Sequence, residues 1–230
     1  MKNLLIAVFI IIPASLGAQV KKPQNLPGYD NKILHWGFTV GLSTWDYQIT
    51  RTAGSDLIPD IAEPALNFGL QVTIVSDLRL NEFMTLRFLP GLALGQADIS
   101  FYNRSDANLE NAQKFELAAL QFPLIVKFRA NRLNNMRPYM LGGINYIYDM
   151  TGAKRGEGEI LFEMLRGDLC LEVGYGIDTY LQYFKFSPEI KLGIGMFDLL
   201  NRDPTAGKIE YVSTIEQIRS FYLMINFHFE

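Results

Sequence analysis

Residues 184–196 read F-K-F-S-P-E-I-K-L-G-I-G-M. Phe184, Phe186, Ile190, Leu192, Ile194 and Met196 fall on one face of this stretch. Lys185, Ser187, Glu189, Lys191, Gly193 and Gly195 fall on the other. A period of two held over such a length marks a β-strand with one apolar and one polar face. Whether the apolar face meets lipid or a protein core decides the fold. The answer depends on how many other stretches share the pattern.

Seven others do. Alternation predicts strands over 34–43, 65–76, 82–96, 114–130, 137–148, 168–182 and 219–229, besides the opening stretch. In the first, Leu34, Trp36, Phe38, Val40 and Leu42 oppose His35, Gly37, Thr39, Gly41 and Ser43. In the last, Phe221, Leu223, Ile225, Phe227 and Phe229 oppose Tyr222, Met224, Asn226 and His228. The fifth is the least regular, with Gly142-Gly143 in its middle. Three connections are short, around 77–81, 131–136 and Tyr183, and four are long, roughly 49–64, 101–113, 149–167 and 198–218. Eight antiparallel strands with short turns at one end and long loops at the other follow the plan of an outer-membrane barrel.

The rival is a soluble eight-stranded barrel, in which the apolar faces would point inward. Those faces carry Trp36, Phe38, Phe68, Phe88, Phe122, Phe128, Phe184, Phe186, Phe221, Phe227 and Phe229. That bulk overfills an eight-stranded lumen, which holds little more than its own side chains. The polar faces are rich in Gly, Ala, Ser and Thr, which suits a crowded interior better than a solvated surface. The expected fold is therefore all-β: an eight-stranded antiparallel transmembrane β-barrel of the outer membrane, with the apolar faces toward lipid. Proline at 90, 123 and 188 falls inside predicted strands. A closed barrel has no edge to accommodate it, so bulges or broken hydrogen bonds are expected there.

The chain divides into a signal peptide at 1–18, an extended polar periplasmic tail at 19–32 and the barrel at 33–230. Lys2 supplies the positive start, 4–12 the apolar core, and Ser15-Leu16-Gly17-Ala18 the small residues for cleavage before Gln19. The apolar run is too short to cross a bilayer as a helix. Cys170 is the only cysteine among 230 residues, which excludes an intramolecular disulfide. A net charge of -3 argues against a nucleic-acid partner. No G-x-S-x-G, H-E-x-x-H or phosphate loop is present, and neither histidine lies on a predicted long loop. Catalysis, a cofactor, a metal and a small-molecule substrate are accordingly not expected.

The polar faces supply a candidate lumen charge cluster. Its cations are Arg87, Lys127, Arg129, Arg137, Lys185 and Lys191, and its anions are Glu172, Asp178 and Glu189. Unpaired charge away from water is costly, so a salt-bridged plug in a non-conducting lumen is expected. If Leu181 pairs with Phe184, Glu189 falls opposite Gly176 and Lys191 opposite Gly174, each long side chain gaining room from a glycine. His35 and His228 lie on the first and last strands, which closure makes neighbours, so both are expected near the short-turn rim in hydrogen-bonded roles. Cys170 is expected to face inward near the long-loop end. In the loop at 159–165, Ile160, Leu161, Phe162 and Leu165 form a candidate contact surface for a partner or lipid.

Three stretches carry a family resemblance. Asn25-Leu26-Pro27-Gly28-Tyr29-Asp30, followed by His35-Trp36-Gly37-Phe38, resembles the opening of the PorT-type proteins of the Bacteroidetes type IX secretion system. Phe122-Pro123, Lys127-Phe128-Arg129, Asn135-Met136-Arg137-Pro138-Tyr139 and Gly142-Gly143 resemble their central hairpin. Gly176-Ile177-Asp178, Tyr180-Leu181 and Tyr183 to Glu189 resemble their late hairpin. Trp36 departs from the expected Phe. The resemblance implies an integral outer-membrane component needed for export of cargo to the cell surface, with other type IX secretion components and outer-membrane lipid as partners. It implies no catalysis. The competing expectation is an independent small barrel for adhesion or envelope integrity.

Overall fold

The structure, a computed structural model, describes residues 23–51, 60–65, 67–102, 109–151, 164–202 and 215–230. Ten strands follow a short 3-10 helix at Tyr29–Asn31: β1 (Leu34–Arg51), β2 (Asp60–Ala65), β3 (Asn67–Arg79), β4 (Met84–Phe88), β5 (Gly91–Tyr102), β6 (Leu109–Arg129), β7 (Met136–Asp149), β8 (Gly167–Tyr180), β9 (Lys185–Gly195) and β10 (Ile215–Phe229). Every pairing is antiparallel, and β1 pairs with both β10 and β3, which closes the ring. β2 and β3 both lie along β5, and β4 and β5 both lie along β6, so the ten segments act as eight staves. The strands outrun the alternation at the long-loop end. β1 reaches Arg51, β6 begins at Leu109 and β10 at Ile215, so much of what reads as loop in sequence is paired wall.

Two prolines interrupt pairing without shifting register. β3 pairs Ser76 with Phe88 and Thr73 with Gly91, leaving Leu89 and Pro90 unbridged between β4 and β5. Along β8–β9 the ladder runs from Cys170–Gly195 to Gly176–Glu189, lapses at Pro188 and resumes at Thr179–Phe186. On its other side Pro188 stays in register with Phe227. Pro123 faces Asn145 within a continuous ladder on one side and the Leu89–Pro90 gap on the other, where its carbonyl accepts the Leu89 N–H at 3.1 Å. A missing N–H thus produces gaps rather than bulges. The Gly142-Gly143 pair does not break β7. A side chain on Gly143 would strike the Leu124 carbonyl and sit 2.7 Å from Ile125 Cα, so the two strands approach closely there.

Exposure is inverted relative to a soluble barrel. Trp36 is 63% exposed and Phe68 73%, whereas Arg87, Lys127 and Glu172 are 0% exposed. The outward residues form a continuous apolar coat, and lipid is the medium that accepts it. The lumen is not uniformly polar. Trp45, Ala93, Leu117, Ile147, Cys170, Tyr222 and Met224 cluster toward its long-loop end, and Val75, Leu89, Ile125, Tyr139 and Leu141 form a second apolar patch.

Candidate functional site

Two glutamates centre the lumen. Glu172 on β8 accepts hydrogen bonds from Tyr222 Oη (2.6 Å) and Asn145 Nδ2 (3.0 Å) and pairs with Lys191 Nζ (2.9 Å). Glu189 on β9 accepts from Tyr139 Oη (2.9 Å) and Asn226 Nδ2 (3.3 Å), with His228 Nε2 at 3.1 Å and Arg87 Nη1 at 3.6 Å. Tyr222 and Tyr139 reach their glutamates from strands one removed in the ring, and Arg87 on β4 reaches Glu189 on β9 from the opposite side, so side chains meet across the lumen at this height.

Glycine makes the room, but for a different occupant than the strand pairing alone suggests. Glu189 does pair with Gly176 and Lys191 with Gly174, as the Leu181–Phe184 turn requires. The space over Gly176 is filled by the Tyr139 ring, and that over Gly193 by the Tyr222 ring. Each tyrosine lies on a glycine and donates its hydroxyl to the glutamate paired with that glycine. The ring supplies dispersion contact and the hydroxyl supplies a charge-assisted hydrogen bond, which makes a buried carboxylate tolerable.

Closer to the short turns the network becomes ionic. Arg87 on β4 grips Asp77 side-on, Nε to Oδ1 at 2.6 Å and Nη2 to Oδ2 at 2.7 Å, and reaches Glu230 at 2.8 Å. Lys185 pairs with the same Glu230 at 2.7 Å. Lys127 pairs with Asp178 at 2.7 Å, stands 3.6 Å over the Tyr139 ring, and leaves Asp178 Oδ1 to accept Ser187 Oγ at 2.7 Å as well. Buried charges persist only when paired and hydrogen-bonded in this manner.

Segment 23–32 closes the short-turn end. Its polar composition with Pro23 and Pro27-Gly28 suggests an extended tail, but the segment turns, with Leu26 at φ 49°, and docks on the rim. Asp30 lies 3.3 Å from Arg137, 3.6 Å from Arg132 and 3.7 Å from Arg129, and accepts the Tyr180 hydroxyl at 2.7 Å. Asn25 N–H donates to Asn135 Oδ1 at 2.9 Å, and its amide to the Tyr180 carbonyl at 3.0 Å. The Tyr29 ring stacks on His35 at 4.3 Å, and its hydroxyl donates to Glu230 at 3.2 Å. Burial, reinforced by the Glu230 carboxylate, pushes the Tyr29 phenol well above its ordinary pKa, so it remains a donor.

The nine charged residues read from sequence thus fall into two groups. Arg87, Lys127, Glu172, Asp178, Lys185, Glu189 and Lys191 form the lumen network, while Arg129 and Arg137 belong to the rim around Asp30. Sequence reading missed Asp77, Glu230, Asp30 and Arg132. Asp77 reads as the start of the short 77–81 connection, although alternation carries it inward with Thr73 and Val75, and Glu230 follows His228 by two. Nothing periodic marks Asp30 or Arg132.

The histidines do not share a partner. His35 Nε2 lies 2.8 Å from the Tyr29 carbonyl, whereas His228 sits between Thr39 (Nδ1, 2.6 Å) and Glu189. No group of three potential metal ligands occurs among the described residues. Cys170 is buried, 3.3 Å from Asp168 Oδ2 and 3.5 Å from Ser220 Oγ near the long-loop end. Of the candidate loop surface, Ile160, Leu161 and Phe162 lie outside the described residues. Leu165 is exposed and donates its N–H to the Leu199 carbonyl at 2.8 Å.

The chain is similar to Neisserial surface protein A (10% identity, 86% of this chain and 98% of that one, TM-score 0.41). It is similar to OprG of Pseudomonas aeruginosa (12%, 84% and 94%, TM-score 0.49) and to the N-terminal β-barrel domain of OprF of Pseudomonas aeruginosa (11%, 83% and 96%, TM-score 0.29). Superpositions this loose carry no argument about activity. No curated protein matches the chain. Residues 18–201 match the family described as outer membrane protein beta-barrel domain. With that match spanning most of the sequence, and with an apolar coat around a charged lumen, the chain belongs to this family and is an integral protein of the outer membrane.

Proposed function

We propose that this barrel is an accessory or scaffold component of type IX protein secretion, acting at the outer membrane without being the export conduit. One observation carries the reading. The three stretches that resemble PorT-type proteins lie far apart in sequence yet meet at one rim. Asn25 and Asp30 come from the first, Arg129, Asn135 and Arg137 from the second, and Tyr180 from the third. A resemblance that converges on one end of the molecule points to that end as the working surface. By the barrel plan, the short turns face the periplasm. Direct bonds across the lumen argue against passage of cargo, since Arg87 reaches Glu189 and Asn145 reaches Tyr222 (3.2 Å) from strands on different sides of the ring.

The test is the secreted-protein profile of a strain lacking the gene, together with co-purification from detergent-solubilised outer membranes. The expected result is loss of surface-exported cargo and recovery of secretion-machine components with the barrel. Intact export with altered permeability or adhesion would refute this and make the protein an independent envelope barrel.

A further inference from the structure

Three guanidinium groups converge on the Asp30 carboxylate at the rim, and a fourth, Arg79, donates to the Asp30 carbonyl at 2.6 Å. Arg137 is fully engaged: Nε donates to the Ala130 carbonyl at 2.7 Å, Nη2 to the Glu82 carbonyl at 2.7 Å, and Nη1 faces Asp30. Arg132 is also engaged, donating to the carbonyls of Asn134 and Asn25 and to Asn135 Oδ1. Arg129 is different. It is 7% exposed and reaches Asp30 only through Nη1 at 3.7 Å, while its Nε and Nη2 make no hydrogen bond among the described residues. Those two nitrogens form the side-on fork with which Arg87 grips Asp77 in the same barrel. A buried guanidinium edge of this geometry matches the two oxygens of a carboxylate. Asp178 and Asp30 both carry charge toward Arg129, but Asp178 is held by Lys127 and Ser187, and Asp30 is divided among three arginines and Tyr180.

The chain's own segment 23–32 lies at this end and meets Arg129 through Asp30. None of the residues of its 3-10 helix is buried, and the described contacts that hold it are hydrogen bonds, ion pairs and ring contacts with Tyr29. Such a segment can leave without unpairing a strand. We propose that Arg129, supported by Arg132 and Arg137, is a carboxylate-binding site for an acidic peptide of a periplasmic partner, with Asp30 as the resident ligand that the peptide displaces. The site takes a carboxylate because two carboxylates already show its chemistry: Asp77 on the identical fork of Arg87, and Asp30 among the three arginines.

The test is titration of a fluorescent tetra-aspartate peptide into the purified full-length barrel in detergent, at fixed ionic strength, with inorganic phosphate as competitor. Asp30→Asn is expected to tighten peptide binding at least tenfold by removing the resident carboxylate. Adding Arg129→Lys, which keeps the charge and removes the fork, is expected to cancel that gain. Unheated gel mobility checks that each variant still forms the barrel. Equal binding by wild type and Asp30→Asn would overturn the proposal, as would retention of binding in Asp30→Asn/Arg129→Lys. Phosphate binding tighter than the peptide would also overturn it, making the rim a phosphate site. The assay needs no secretion machine, so it can fail independently of the type IX reading.

Discussion

Replacing Arg87 by Met tests whether the lumen is held by its charge pairing. Arg87 makes three short charge-assisted contacts, two to Asp77 and one to Glu230, and a fourth at 3.6 Å to Glu189. Each hydrogen bond to a charged group is worth about 1.5–3 kcal/mol. They share one guanidinium and are not additive, and Lys185 still neutralises Glu230. The main consequence is therefore one orphaned carboxylate, Asp77, buried without a cation. Removing one partner of a buried pair costs about 3–5 kcal/mol, and that is the expected loss for Arg87→Met. In Arg87→Met/Asp77→Asn the orphaned charge is gone, so at least ~2 kcal/mol should return. The assay is reversible urea unfolding in lipid vesicles, followed by tryptophan fluorescence and the mobility difference between folded and unfolded barrel. A loss below about 1 kcal/mol for the single variant, or an equal loss for both, would refute the reasoning.

Other outcomes follow from particular positions. Gly143→Ala should destabilise by about 1–3 kcal/mol, since its Cβ meets β6 backbone that cannot yield. Gly142→Ala, with its nearest neighbour 3.8 Å away, should be close to neutral; equal effects in the same unfolding assay would count against the β6–β7 packing. Val173→Arg, on the outward face at mid-strand, should cost about 2–4 kcal/mol in vesicles, and an innocuous result would contradict lipid at that face. Burial opposes ionisation of Asp198, but the N–H groups of Ile218 and Leu200 and the Arg202 guanidinium outweigh it and hold the carboxyl below the usual range. A depressed pKa stabilises the folded form above the unfolded value and loses that contribution as pH falls through the folded one. Amide protection at Leu200 and Ile218 should therefore fall on acidification in the wild type, while Asp198→Asn should show no such pH step.

How much of this is legible in the sequence depends on the range of the interactions. Alternation in residues 184–196 and the seven similar stretches identifies the two faces and their inversion, because side-chain direction along a strand is a local consequence of the pleat. The register of β8 and β9 follows from a tight turn at Leu181–Phe184, which is also local. The strand ends are harder to read: β1 and β6 continue past the alternating core because a neighbour supplies hydrogen bonds, whatever their own side chains favour. Asp30 is the clearest failure. It sits in a segment with no period, and only the closed rim shows that three arginines converge on it.

The sequence by itself determined a lipid-facing coat, a polar lumen and the charges that line it, since a period of two assigns each residue to one side of a wall. The tertiary structure decided which charges meet. Arg87 on β4 finds Glu189 on β9, and Tyr139 fills the space over Gly176 to reach that same carboxylate. These are contacts across a closed ring. They depend on strand tilt, on stagger and on which staves face each other, and none of these is encoded within a single strand.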